Sequence, residues 1–137
     1  MKSLKQLIVS AFFSALACSV MQGEDASLRA NIPFDFHAGD KLLPAGQYLV
    51  QERGSVVILR VADSGKPAVI LVTNGAIGAD SSHKARMEFH RYGRAYFLSA
   101  IWNPFSEEGR QVPPTASEKE IAKNGTPAQA EVVVAGK

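Results

Sequence analysis

The sequence predicts an all-β fold: a small antiparallel β-sandwich or barrel of about seven strands, with one short helix near the C-terminal end. Three observations carry this. Apolar residues between positions 28 and 102 recur with period two or in short runs of strand length. Turn signals containing Gly or Pro separate those runs at short intervals. Cys18 is the only cysteine, so no intrachain disulfide forms and stability must come from packed side chains.

The elements follow in chain order. Leu28, Ala30, Ile32, Phe34 and Phe36 alternate with Arg29, Asn31, Pro33, Asp35 and His37, which puts one set on each face of a strand. Pro33 lacks the N–H that a central ladder needs and assigns this strand to a sheet edge. Leu43-Pro44-Ala45-Gly46 makes a turn, Pro fixing φ and Gly free to take a positive one. Strands are expected at 47–53 and 55–62 on either side of Gly54. Asp63-Ser64-Gly65-Lys66 then turns the chain into another at 67–73. The runs Val56-Val57-Ile58-Leu59 and Val69-Ile70-Leu71-Val72 are apolar throughout, the pattern of central strands covered on both faces. Residues 74–82 are small and polar and read as a loop.

Gly93-Arg94 suits a two-residue type II′ turn, which wants Gly first. That register sets Phe89 opposite Leu98, Met87 opposite Ala100 and Ala85 opposite Trp102, one mostly apolar face. The other face holds Lys84, Arg86, Glu88 and His90 against Ile101, Ser99 and Phe97. Asn103-Pro104 ends the ribbon, and 109–112 adds a short strand. Thr115-Ala116-Ser117-Glu118 is a capping box opening a helix over 115–123, with Gly125 near its end. Residues 126–137 are Ala-rich and read as a flexible tail, in which Glu131–Val134 is the segment able to pair with an edge. The expected core is Phe34, Phe36, Ile58, Leu59, Ile70, Phe89, Leu98 and Trp102.

Residues 1–23 read as a signal peptide. Lys2 and Lys5 form a basic start, residues 7–17 run without charge, and small residues follow. That run is far shorter than the roughly 20 apolar residues of a membrane span. Cleavage after Gly23 leaves a single β domain over 24–125. Ala15-Leu16-Ala17-Cys18 instead approaches a lipobox, which makes Cys18 a lipidation candidate. The expected location is exported, periplasmic or secreted, with anchoring through Cys18 as the variant, and no membrane span in the mature chain. Lys2 and Lys5 leave with the leader, so 13 basic residues face 13 acidic ones. The basic excess of a nucleic-acid binder is absent.

Chemistry is sparse. His37, His83 and His90 lack the i,i+2 or i,i+4 spacing that puts two imidazoles on one ion, so no metal is expected. No Gly-rich phosphate loop occurs, and no cofactor is expected. The hairpin register places Ser99 opposite Glu88 and diagonal to His90, the inventory of an acyl hydrolase. A flat strand, however, gives the serine neither a sharp turn nor an oxyanion site. Arg91, Tyr92, Arg94 and Tyr96 gather cations and aromatics at one hairpin end. Arg91 lies directly opposite Tyr96, where its guanidinium can cover the ring or cap the core edge. The expectation is a non-catalytic exported domain binding an envelope component or a protein partner. A secreted hydrolase and a lipid-anchored structural protein are the alternatives.

Ile32-Pro33-Phe34-Asp35-Phe36 with Leu43-Pro44-Ala45-Gly46-Gln47-Tyr48, then Phe89-His90-Arg91-Tyr92-Gly93, Tyr96-Phe97-Leu98 and Ile101-Trp102, and finally Gly109–Pro113, resembles a family of small secreted bacterial β-proteins with no assigned activity. The resemblance covers most of residues 30–123. It implies export and a compact β domain, and it carries no functional residues across.

Overall fold

The computed structural model describes residues 27–78, 84–104, 107–125 and 128–134. The expected leader, Cys18 and His83 lie outside them. The elements are β1 (Ser27–Ile32), β2 (Phe36–Ala38), β3 (Lys41–Leu43), β4 (Gly46–Arg53), β5 (Val56–Val61), β6 (Pro67–Val72), β7 (Asn74–Ile77), β8 (Arg86–Tyr92), β9 (Ala95–Trp102), β10 (Glu108–Gln111), α1 (Ala116–Lys123) and β11 (Gln129–Val134). The fold is all-β with one short C-terminal helix. The described residues hold eleven strands where about seven were expected, because short pieces such as β2, β3 and β7 carry too few residues to show a period.

Two sheets face each other. Sheet A runs β1-β4-β5-β6 and sheet B β11-β8-β9-β10-β7, with β2 joined to β9 in parallel and β3 paired to β2. Leu28, Ile32, Tyr48, Val50, Val57 and Leu59 of sheet A meet Phe36, Met87, Phe89, Leu98 and Ile101 of sheet B in one core. One aromatic contact crosses the seam: Phe36 lies 5.4 Å from Tyr48, and it meets Phe89 of its own sheet at 5.5 Å, both near perpendicular.

The alternation over 28–36 belongs to two strands. β1 is an edge of sheet A, as Pro33 implied, but the chain leaves that sheet at Pro33 and enters sheet B at Phe36. Period two survives the crossing because the inner face of each sheet looks at the same core. Leu28, Ala30, Ile32 and Phe36 are all buried, and Phe34 between the strands stacks on Tyr96 at 3.7 Å. Asp35 holds the turn by accepting from the Ala45 N–H at 2.9 Å.

The β4–β5 hairpin closes at Gly54, whose φ of 60° is the left-handed value that favours glycine. The reading of 69–72 as covered on both faces is corrected. β6 is an edge strand, only Leu71 is fully buried on it, and Ile70 and Val72 are 63% and 72% exposed. Ile70 is therefore not a core residue. The described residues place no third layer over sheet A, so apolar runs on both faces there do not mean burial on both. Thr73 is the corner from sheet A to sheet B. Its N–H and hydroxyl both donate to the Ser55 carbonyl at 2.8 Å, while Arg110 donates to its hydroxyl and carbonyl oxygens at 2.9 Å. The residues just beyond form β7, so part of the expected loop 74–82 is a strand.

Near the turn the β8–β9 register is the expected one, with Phe89 opposite Leu98. It then slips by one residue, setting Glu88 opposite Ala100, Met87 opposite Ile101 and Arg86 opposite Trp102. Ser99 is the extra residue of a β-bulge. Without the slip Ile101 would face outward and Ala100 inward. The bulge exchanges them and puts the larger side chain in the core. Trp102 consequently leaves the main core. It is buried on the outer face of sheet B, with the Arg86 guanidinium 5.1 Å from its ring centroid. A Cβ on Gly109 would sit 2.4 Å from that ring, and one on Gly78 at 2.9 Å, so both backbones must approach it as glycine. The expected tail is corrected too: β11 pairs along β8 from Gln129 opposite Arg91 to Val134 opposite Arg86.

Candidate functional site

The outer face of sheet B carries the most elaborate polar arrangement. It is built by α1. Thr115 caps the helix, its hydroxyl accepting from the Glu118 N–H at 3.1 Å, which is half of the expected capping box. The Glu118 carboxylate turns to the sheet instead. One oxygen lies 2.7 Å from His90 Nδ1 and accepts from the Tyr92 hydroxyl at 2.9 Å. His90 and Tyr92 stand two apart on β8 and so share a face. The acid is buried at 5% exposure, in the first turn of a helix where the macrodipole favours negative charge. Burial first, then the hydrogen bond and charge of Glu118, hold the Tyr92 hydroxyl above the usual tyrosine range. The His90 side chain keeps 42% exposure against 7% for Glu118, so the acid is hidden and the imidazole partly open.

Beside this network lies a cleft of about 280 Å³, with Glu88, His90, Ser99, Trp102 and Gln111 among its walls and Ala76, Val112 and Pro114 closing it. The bulge fixes Ser99 from two directions. Its hydroxyl donates to the Glu88 carbonyl at 3.1 Å, and its own carbonyl accepts from the Val112 N–H at 2.8 Å. The Glu88 carboxylate lies 3.4 Å from Arg86 Nε. The Trp102 indole N–H is buried with no acceptor among the described residues.

Ser99, His90 and Glu88 thus line one cleft, but the acid that holds His90 is Glu118. The sequence shows Glu118 only as a cap residue, since its motif says nothing about which strand the helix lies over. The four residues expected to form one patch are divided by the sheet. Arg91 and Tyr96 meet as expected, with the guanidinium 5.5 Å from the ring. Arg91 also donates to the Gly93 carbonyl at 2.8 Å and lies 3.4 Å from Glu131, which β11 supplies. Tyr92 is on the opposite face, bound to Glu118, and Arg94 is exposed at the turn.

Among the described residues no group of three or more His, Cys, Asp or Glu is placed to hold a metal ion. His37 stacks flat on Phe97 at 4.4 Å. No described helix is long and apolar enough to cross a membrane. Comparison with family models, with curated proteins and with solved structures finds no match.

Proposed function

We propose that this chain is an exported, non-catalytic β domain that binds an envelope component or a protein partner, and that it binds through the cleft over β8 and β9. One observation carries the reading: the two side chains that acyl transfer would call on are already engaged. Ser99 donates to a backbone carbonyl, and His90 is fixed by a buried carboxylate. A wall of oriented, paired groups supplies shape and hydrogen-bonding edges to a ligand, whereas acyl transfer needs a free nucleophile within reach of its base. The volume suits a side-chain-sized or sugar-sized group. Gln111→Trp plugs this cleft from an exposed position without touching the core. Partners captured from envelope fractions by the wild type should be lost by the variant, and equal capture would place binding elsewhere. The exported location is tested by mass spectrometry of the chain isolated from producing cells. A start at Glu24 supports simple secretion, and an acylated Cys18 supports the lipid-anchored alternative.

The His90–Glu118 pair favours a second reading, because an acid-oriented imidazole is what a hydrolase needs. Ser99 would then have to leave the Glu88 carbonyl and turn to His90. Generic ester hydrolysis by the wild type and by Ser99→Ala decides this, since equal rates end it.

A further inference from the structure

Two of the chain's asparagines, Asn74 and Asn124, are followed by glycine, and the fold puts them in different settings. In an Asn-Gly pair no side chain shields the glycine nitrogen, so it reaches the asparagine carboxamide once the backbone turns toward it. Both asparagines are exposed, so exposure does not separate them. Asn74 opens β7, where it lies opposite Gln111 and Gly75 lies opposite Arg110. Thr73, just before it, is pinned by the Ser55 carbonyl and by Arg110. Bringing Gly75 N to the Asn74 carboxamide takes both residues out of that ladder. Asn124 instead caps the C-terminal end of α1 with φ −77° and ψ 11°, and Gly125 follows in the left-handed region at φ 83°. Asn124 N–H donates to the Ile121 carbonyl at 3.1 Å, and Gly125 N–H to the Ala122 carbonyl at 3.3 Å. The second bond, a long one at a helix terminus, is the one that rotation about ψ of Asn124 breaks.

We infer that Asn124 is a site of spontaneous deamidation and that Asn74 is protected by its strand. Gly125 N gives up its proton and attacks Asn124 Cγ. A C–N bond forms, the Cγ–Nδ2 bond breaks, and the amide nitrogen leaves with a proton as ammonia. The resulting succinimide takes up one water, opening at Cγ to leave aspartate or at the backbone carbonyl to leave isoaspartate. Nothing is oxidised or reduced, and water is the only co-reactant. Either product puts a carboxylate at the end of α1, where the helix dipole repels it, against the favourable charge that Lys123 supplies in the last turn. Isoaspartate also adds one carbon to the backbone, so the bond from Gly125 to Ala122 is not re-formed in its present geometry. With eight residues, α1 depends on its caps and contacts. Loosening its end weakens the hold of Glu118 on His90 and Tyr92. The modification is independent of what the cleft binds.

The test is incubation of the full chain at mildly alkaline pH, with peptide mass spectrometry following both Asn-Gly sites and isoaspartate methyltransferase labelling the product. In buffer Asn124 should convert roughly tenfold faster than Asn74, which takes a difference of only about 1.4 kcal/mol in the local opening that precedes attack. In concentrated urea both sites lose their structure, and the two rates should converge. Asn124→Gln should abolish labelling at this site, since glutamine has to close a larger ring, and Asn74→Gln should leave it unchanged. The consequence for the helix is read by hydrogen exchange in Asn124→Asp. Its α1 amides should exchange roughly two- to fivefold faster than in the wild type, the effect of a charge set against the helix dipole. Those of β4 and β5 should not change. No conversion at Asn124, equal conversion of Asn74 in buffer, or the same ratio in urea as in buffer would each overturn the proposal. Wild-type exchange of α1 in Asn124→Asp would overturn the coupling to the helix.

Discussion

Sheets A and B line the core with the same kind of residue and differ on the sides they turn away from it. Outside sheet B, a helix, a buried glutamate and a tryptophan seated on glycine make a second layer. Outside sheet A, the described residues supply nothing, and β-branched side chains stand beside arginines in the open. The inner faces answer to burial, which is non-directional and forgiving of which apolar residue is used. The outer faces are free of that demand, so their chemistry distinguishes the two sides.

Substitutions sharpen this contrast in descending order. Trp102→Ala, on the covered outer face, should destabilise by about 3–5 kcal/mol, as removal of a large buried aromatic does. Denaturant unfolding checks it, and a loss under 1 kcal/mol would mean the outer layer is not packed. Glu118→Gln comes next. It weakens the acceptor shared by His90 and Tyr92 in a buried site and should cost about 1–3 kcal/mol.

The same variant has a pH signature. Tyr92 is held above its ordinary value, near 10 when unfolded, and so is Tyr48, by burial and then by Asp35. The native state keeps those protons longer than the unfolded chain does. Their stabilisation is complete below about pH 10 and is lost as pH rises through the folded values. Melting temperatures followed from pH 8 to 11 should fall, and less steeply in Glu118→Gln, where the charge that helps to raise Tyr92 is gone and the acceptor is weaker. An identical slope would remove Glu118 from the argument.

Thr115→Ala deletes the cap of α1 and should cost about 1 kcal/mol, read from the unfolding midpoint. Ile70→Ser, on the open face, should change stability by less than about 0.5 kcal/mol, since the isoleucine is already mostly in water. A loss of 2 kcal/mol there would show that sheet A is covered after all.

Much of the inner face was legible. Alternation from Leu28 to Phe36 identified inward residues even though the chain changes sheet among them, because period two reports the side of the core and not the sheet. Gly54 and Gly93 located two hairpins through conformations that other residues avoid. The bulge at Ser99 was not legible. A turn fixes register only near itself, and the slip follows from whether Ile101 or Ala100 fills space opposite Met87. Nor was the edge position of β6, since an apolar run reads alike whether a second layer covers it or not. Glu118 stayed hidden because it meets His90 of β8 from 28 positions further along the chain.

By itself the sequence determined the class of fold, the main hairpins and most of the side chains that face inward. These follow from local conformational preference and from hydrophobic periodicity, both of which act within a few residues. Only the tertiary structure decided that Trp102 lies outside the core, that Arg91 and Tyr92 are parted by the sheet, and that a helix carboxylate closes on His90. Each depends on which distant surfaces come to face one another, a matter settled by packing volume across the whole domain.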